Sequence, residues 1–221
     1  MPKTIVITGA NRGIGLAMAK ICRQNSDKVY ALCRQSSPQL DSLGVTIIDK
    51  VDISTDLGIA KAKSDLASTK IDLLINNAGI LRDESLQDFN KTTITEQFAV
   101  NALAPLSLTQ ALLANFSAGS KITFITSRMG SIADNSSGGR YGYRMSKAAL
   151  NIGAMSLAKD LADQQIAIGI YHPGYVQTDM VNHGGDISAE VSAQRLLDLI
   201  SELTMVESGT FRHSNGEVLP W

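Results

Sequence analysis

A glycine-rich segment directly after a short apolar run constrains this chain more than any other feature. Residues 3–8 are rich in β-branched side chains, which is typical of a strand buried on both faces. Gly9, Gly13 and Gly15 follow, and residues 13–24 have the spacing of an amphipathic helix. Glycine lets the backbone approach a pyrophosphate, and a helix N-terminus attracts anions. The segment predicts a phosphate-binding turn, although its Gly-x-x-x-Gly-x-Gly spacing would also suit a turn without a ligand.

The rest of the chain alternates between strand-like and helix-like segments. Repeated β-α-β units imply a parallel sheet with helices on both faces. We therefore expect an α/β fold, a doubly wound (Rossmann) sheet of about seven strands, in one domain spanning residues 1–221. Further strands are predicted at 28–33, 45–49, 71–76, 121–126 and 166–171, helices at 55–68, 93–116 (interrupted or kinked near Pro105), 141–163 and 189–203, and an edge strand within 209–221.

Composition narrows the class of protein. The 221 residues are 44% hydrophobic, with 20 basic and 21 acidic side chains. This balance predicts no nucleic-acid or membrane partner, and the apolar runs are too short for a spanning helix. No signal-peptide pattern precedes the first strand, so we expect a soluble, cytoplasmic protein. Cys22 and Cys33 are expected to be packed thiols, and neither they nor the three histidines have metal-site spacing.

Arginines near the predicted turn bear on the choice of dinucleotide. NAD sites usually place a carboxylate at the end of the second strand, where it binds the ribose 2′-hydroxyl. Here that strand ends in Cys33-Arg34, and Arg12 lies inside the glycine turn. Two guanidinium groups would suit a 2′-phosphate, which predicts a preference for NADP(H) over NAD(H). Two solvated surface arginines are the alternative.

Tyr143 and Lys147 form a second chemical signal. They are four residues apart in a predicted helix and so share one face. A free tyrosine has a pKa of about 10, and a neighbouring ammonium would lower it by stabilising the phenolate. Tyr141 has no lysine four residues on, so we interpret it as a pocket or packing residue.

Six motifs in this order resemble those of the short-chain dehydrogenases/reductases over essentially the whole chain. The ending Leu219-Pro-Trp221 and the segment that begins at His172-Pro-Gly are most similar to sniffer-type carbonyl reductases and C-factor-like proteins. The motifs are Thr8-Gly-x-x-x-Gly-x-Gly15, Asn76-Asn-Ala-Gly79, Asn101, Ser127, Tyr143-x-x-x-Lys147 and Pro173-Gly-x-x-x-Thr178.

The resemblance implies catalytic roles. Tyr143 would be the general acid, Lys147 would hold down its pKa and bind the nicotinamide ribose, and Ser127 would orient the carbonyl. Asn101 would hold a water that resupplies protons through Lys147, or would merely mark a helix kink. Ser131 competes with Ser127, which we favour because it directly follows a predicted strand.

The resemblance also implies a set of cofactor contacts. Asp52 would contact adenine, although a capping role would suit it as well. Pro173 and Gly174 would lie under the nicotinamide, with Val176 and Thr178 at its carboxamide. The full set is Gly9, Asn11, Arg12, Gly13, Ile14, Gly15, Arg34, Asp52, Ile53, Asn77, Ala78, Gly79, Tyr143, Lys147, Pro173, Gly174, Val176 and Thr178.

The expected function is NADPH-dependent reduction of a small aldehyde or ketone. The short loop at 179–187 predicts an open site, lined by Tyr175, Met180 and Val181 and suited to apolar carbonyl or alcohol substrates. The alternative is a dinucleotide-binding signalling or regulatory protein, since the resemblance includes C-factor-like proteins. The sequence leaves open whether the protein is a monomer or a homo-oligomer.

Overall fold

A parallel seven-stranded sheet forms the centre of the computed structural model, which describes residues 2–221. All six strand pairs are parallel, and the strand order is β3-β2-β1-β4-β5-β6-β7. This confirms the doubly wound α/β fold. The strands are β1 (Thr4–Thr8), β2 (Lys28–Leu32), β3 (Thr46–Ile48), β4 (Leu73–Asn76), β5 (Lys121–Ile125), β6 (Ala167–His172) and β7 (Phe211–His213).

Helices cover both faces of the sheet. Among residues 2–221, none of them is long and apolar enough to span a membrane. They are α1 (Gly13–Gln24), α2 (Pro38–Asp41), α3 (Asp56–Asp65), α4 (Lys91–Phe98), α5 (Ala104–Ala111), α6 (Tyr141–Asp160) and α7 (Ala189–Glu202).

The two faces of β1 show how the core is divided. Ile7 packs in a buried cluster with side chains of α1 and α7, including Met18. Val6 points the opposite way, into a second cluster with side chains of α3, α5 and α6, including Leu108 and Leu150. Burying one such side chain stabilises the fold by roughly 1.5–3 kcal/mol. Because both faces of β1 are buried, its sequence is a continuous apolar run.

The strand order sets the position of a ligand crevice. The chain runs outward from β1 through β2 and β3 and then returns to the other side of β1 with β4. Strand order therefore reverses between β1 and β4. In open parallel sheets, ligands bind outside the carboxyl ends of the strands at such a point.

The helix predicted at 93–116 is interrupted just before Pro105, as expected. It starts earlier, at α4, where the Asn90 side chain accepts hydrogen bonds from the N–H groups of Thr92 and Thr93. A π-helical turn at Ala99–Leu103 separates α4 from α5. Pro105 at the start of α5 has no N–H to donate to the preceding turn, which favours such a break.

The other predicted elements are present, and most of them are shorter than expected. The helices expected at 55–68 and 141–163 stop at Asp65 and Asp160. The expected edge strand is β7, which pairs in parallel with β6. The short helix α2 was not predicted, because four residues are too few for a periodic pattern. Ser37 caps it, accepting from the N–H of Leu40.

Candidate active site

The glycine turn joins β1 to α1 at the strand-order reversal. Gly9 and Gly13 have positive φ angles of 65° and 55°, a region that favours glycine. A Cβ on Gly9 would lie 3.0 Å from the backbone of Ala78, and one on Gly15 would lie 2.6 Å from the side chain of Asn77. The first turn of α1 carries no acidic residue and no side-chain cap. Its free N–H groups and close-lying backbone fit the pyrophosphate of a dinucleotide.

The residues after β4 hold this turn in place. The Thr8 hydroxyl oxygen accepts from the backbone N–H groups of Asn77 and Ala78, both at 3.0 Å. Asn77 Nδ2 donates to the carbonyls of Thr8, at 3.0 Å, and Gly9, at 3.3 Å. These bonds join the carboxyl ends of β1 and β4. Asn76 instead points into the core, where its Nδ2 donates to Thr109 at 3.3 Å.

Two exposed arginines lie at the rim of the crevice. Arg34 follows β2 and makes no ion pair within residues 2–221. Arg12 directly precedes α1, and its Nη1 lies 3.8 Å from Asp179 Oδ2 in a solvent-exposed pair. Asp52 is turned onto its own loop, accepting from Ser54 N–H at 3.0 Å and Ser54 Oγ at 2.6 Å. These bonds, assisted by Arg34, lower the pKa of Asp52.

Tyr143 and Lys147 are buried on the inner face of α6, with exposed fractions of 8% and 4%. Burial lowers the pKa of Lys147 to about 8, and its Nζ donates to the carbonyl of Ile125 at 3.0 Å. Burial raises the pKa of Tyr143, although the nearby Ser127 hydroxyl and the charge of Arg140 lower it in part. The net direction is opposite to the prediction from spacing alone, because the buried phenol lacks solvent to stabilise its anion.

The surroundings of the two candidate serines differ. Ser127 follows β5, and its Oγ accepts from Met129 N–H at 3.1 Å while lying close enough to Tyr143 to influence its pKa. Ser131 Oγ accepts from Asp134 N–H at 3.1 Å and so caps its own turn. The geometry favours Ser127 as the partner of the tyrosine.

Asn101 lies in the π-helical turn and is only 1% exposed. Its Oδ1 accepts from Ile80 N–H and its Nδ2 donates to Ile80 O, both at 2.8 Å. Nδ2 also donates to Ser146 Oγ at 3.0 Å, which ties the turn to α6. A Cβ on Gly79 would lie 3.2 Å from Asn101 Oδ1 and 3.6 Å from Lys147 Nζ. Because Gly79 has no side chain, the side chains of Asn101 and Lys147 can both approach this position.

The segment after β6 closes the other side of the crevice. Gly174 has a φ of 94°, and Val176 is buried and bridges to Ile187. The Thr178 methyl lies 3.4 Å from where a Cβ on Gly13 would be, so this segment reaches the glycine turn.

The loop that follows contains little regular structure. One 3₁₀ turn, Asp179–Val181, lies between Thr178 and α7. Tyr175 and Met180 stay about half exposed. His172 at the end of β6 is buried against His213, with ring centres 4.8 Å apart, and burial lowers its pKa to about 3. It therefore stays neutral near physiological pH.

The sequence offered no sign of one further buried group near this site. Glu84 lies in the loop between β4 and α4, is 4% exposed, and accepts a hydrogen bond from Gly142 N–H at 3.1 Å. Gln97 of α4 donates to the same carboxylate at 2.6 Å. A glutamate in a polar loop is usually solvated, so only the tertiary contacts identify it.

Comparisons with known proteins show what the chain and its fold are similar to. The family model described as short chain dehydrogenase matches residues 3–186. The C-signal of Myxococcus xanthus is 38% identical over 161 residues, covering 72% of this chain and 97% of that protein. The structure of an NADPH-bound carbonyl reductase from chicken fatty liver is 29% identical, with a TM-score of 0.89 and coverage of 100% and 99%. Carbonyl reductase Sniffer of D. melanogaster is 27% identical, with a TM-score of 0.88 over 100% of both chains.

Proposed function

The chain belongs to the short-chain dehydrogenases/reductases, and we propose that it is an NADP(H)-dependent reductase of aldehyde and ketone carbonyls. The family, the Rossmann-like sheet and the likeness to Sniffer-type carbonyl reductases are as the sequence predicted. The observation that carries the proposal is the meeting of Tyr143, Lys147 and Ser127 at the carboxyl end of β5.

The crevice fits a nicotinamide dinucleotide. The glycine turn would hold the pyrophosphate, and Arg34 and Arg12 would pair with a 2′-phosphate, which favours NADP(H). The carboxylate of Asp52 is already bonded to Ser54, which leaves it poorly placed to select a ribose hydroxyl. The NADPH bound to the chicken carbonyl reductase supports the same choice. When bound, the dinucleotide supplies the hydride.

Tyr143 would protonate the substrate oxygen. Because burial raises its pKa, the phenol stays protonated at neutral pH and can donate its proton to a developing alkoxide. Ser127 lies beside it and would orient the carbonyl and stabilise the charge that develops on its oxygen. The ammonium of Lys147, 5.7 Å from the centre of the tyrosine ring, would favour loss of the phenolic proton during the reaction.

Asn101 and Lys147 would return the proton to Tyr143. Their polar atoms flank Gly79, where a Cβ would be within 3.6 Å of both side chains. The Asn101 side chain is fixed by its two bonds to Ile80, so the backbone around it is held in a defined shape. Such a pocket would hold a water that links the ammonium to solvent.

The substrate class follows from the loop after Thr178. Its single 3₁₀ turn leaves the site open, and the exposed side chains of Tyr175 and Met180 offer apolar contact. We therefore propose small apolar aldehydes and ketones as substrates. A panel in which only one polar metabolite reacts would contradict this proposal.

A signalling role is the second candidate, and the 38% identity to the C-signal favours it. A protein that only senses the dinucleotide could lose the acid while keeping the glycine turn. Tyr143, Lys147 and Ser127 are all present, which favours an enzyme.

The test is NADPH oxidation by the purified protein across aliphatic and aromatic carbonyls. NADPH binding without turnover of any carbonyl would favour the signalling role.

A further inference from the structure

The N-terminus of α6 is capped by a side chain from a distant segment. The helix begins after Arg140, whose φ of 50° is left-handed and whose side chain provides no cap. Its own first turn contains no acidic residue. Glu84, 58 positions earlier in the chain, accepts from the Gly142 N–H at 3.1 Å through Oε2. An anionic carboxylate at this end also complements the helix dipole.

The other carboxylate oxygen fixes Glu84 to α4. Oε1 accepts from Thr93 Oγ1 and from Gln97 Nε2, both at 2.6 Å. The second end of the Gln97 amide is also occupied, because its Oε1 accepts from Arg82 N–H at 2.8 Å. The backbone joins the network too, since Glu84 O accepts from Arg140 N–H at 2.8 Å. The carboxylate therefore has one position and one orientation.

The packing at Gly142 leaves no space for a side chain. A Cβ there would lie 2.9 Å from the Ile94 backbone and 3.0 Å from Glu84 Oε1. The helix start is thus pressed against α4 as well as bonded to Glu84. Tyr143 is the next residue, so any displacement of this turn moves its hydroxyl relative to Ser127.

We propose that Glu84 is a positioning residue that holds Tyr143 in its reactive place through the N–H of Gly142. This inference rests on the proposed role of Tyr143 as the acid. Glu84 touches neither Tyr143 nor Ser127 through a hydrogen bond and takes no part in proton transfer. A misplacement of about 1 Å can cost an enzyme about a hundredfold in rate, so the cap matters for turnover.

The test exchanges the carboxylate of Glu84 and the amide of Gln97 between the two positions. Glu84→Gln must turn its new NH₂ group toward either Gln97 Nε2 or the Gly142 N–H, both of which are donors. Gln97→Glu in the same chain restores a donor–acceptor match between the two side chains and with the N–H groups of Gly142 and Arg82. The Thr93 hydroxyl then accepts from residue 84 and donates to Asn90 O, and the 3.3 Å bond from Gln97 Nε2 to Thr93 O is lost. Asp83→Asn is the matched control, because it removes the neighbouring carboxylate, which forms only an exposed pair with Arg140.

Two measurements are made on each variant. The first is amide hydrogen exchange at residues 141–145 in the protein without cofactor. The second is kcat and KM for NADPH and a carbonyl. Glu84→Gln is expected to speed exchange and lower kcat by about tenfold to a hundredfold while KM for NADPH changes less than about twofold. The double exchange should bring the amide exchange rate and kcat back to within about threefold of the parent.

The proposal is overturned if Glu84→Gln lowers kcat no more than Asp83→Asn does, or if the double exchange restores nothing. If Glu84→Gln does not fold, Thr93→Val decides by the same measurements. It keeps the side-chain volume and removes the hydroxyl that donates to Glu84 Oε1 at 2.6 Å and lies 3.1 Å from Asn90 O. An unchanged exchange rate and kcat in Thr93→Val would then sink the idea. A parent protein that turns over no carbonyl would defeat the proposed function, whereas exchange at residues 141–145 would still test the cap.

Discussion

The ammonium of Lys147 lies 5.7 Å from the centre of the Tyr143 ring and donates its hydrogen bond to Ile125 O at 3.0 Å. Both side chains are buried, so water screens their interaction little. The lysine is thus held as a fixed charge near the phenol without bonding to it in the protein without cofactor. Maintaining that charge in a buried place has a cost in stability.

Lys147→Met is expected to raise stability at pH 7 and to abolish most turnover. Burial lowers the pKa of Lys147 from 10.5 to about 8, so the unfolded chain binds this proton more tightly than the folded protein does. The buried ammonium therefore lowers the free energy of unfolding. The penalty is complete below pH 8 and disappears as the pH rises toward 10.5. It is on the order of 3 kcal/mol at pH 7, reduced by the lost bond to Ile125.

Thermal unfolding of the parent and Lys147→Met at pH 7 and at pH 10 checks this. The variant should melt higher at pH 7, and the difference should shrink at pH 10. A variant that melts below the parent at pH 7 would show that the buried ammonium stabilises the fold.

Arg34→Ala is expected to weaken the preference for NADPH. A charge-assisted hydrogen bond to a phosphate contributes about 1.5–3 kcal/mol, so the ratio of kcat/KM for NADPH to that for NADH should fall about tenfold or more. Arg23→Ala removes an equal charge from the last turn of α1 and is the control. If the ratio in Arg34→Ala stays at the parent value, or if the parent prefers NADH, the cofactor assignment fails.

Ser127→Ala and Ser131→Ala should have different effects. Ser127 lies against Tyr143, and its loss is expected to lower kcat by about a hundredfold or more, as for other groups that stabilise a developing oxyanion. Ser131 only caps the turn at Asp134, so its loss should cost about 1 kcal/mol of stability and little rate. Steady-state kinetics and melting curves for both variants decide the matter. Survival of kcat in Ser127→Ala with its collapse in Ser131→Ala would reverse the assignment.

Local sequence patterns predicted the parts of this molecule that local physics determines. The β-branched run before Gly9 and the turn after it follow from rules about neighbouring residues, and seven strands appear where such runs occur. Tyr143 and Lys147 share a face because their spacing fits a helix. The resemblance to a family, rather than any pattern, supplied Asn101 and Thr178.

Features that depend on distant contacts were not predicted. From the sequence, Glu84 would be a solvated loop residue, and only its contacts with α4 and α6 in the folded protein show that it is buried. The π-helical turn around Asn101 depends on bonds to Ile80, 21 positions away. The direction of the Tyr143 pKa depends on burial, which spacing does not reveal.

NADPH oxidation by Tyr143→Phe across a panel of aldehydes and ketones shows whether Tyr143 is the proton donor. The change removes only the hydroxyl, and Tyr141→Phe is the matched control, because that ring packs edge-on against Phe89 at 5.6 Å. Loss of a general acid typically costs about 10²–10⁴ in rate, so Tyr143→Phe should lose turnover while still binding NADPH, and Tyr141→Phe should stay near the parent rate. Unchanged turnover in Tyr143→Phe would show that Tyr143 is not the general acid.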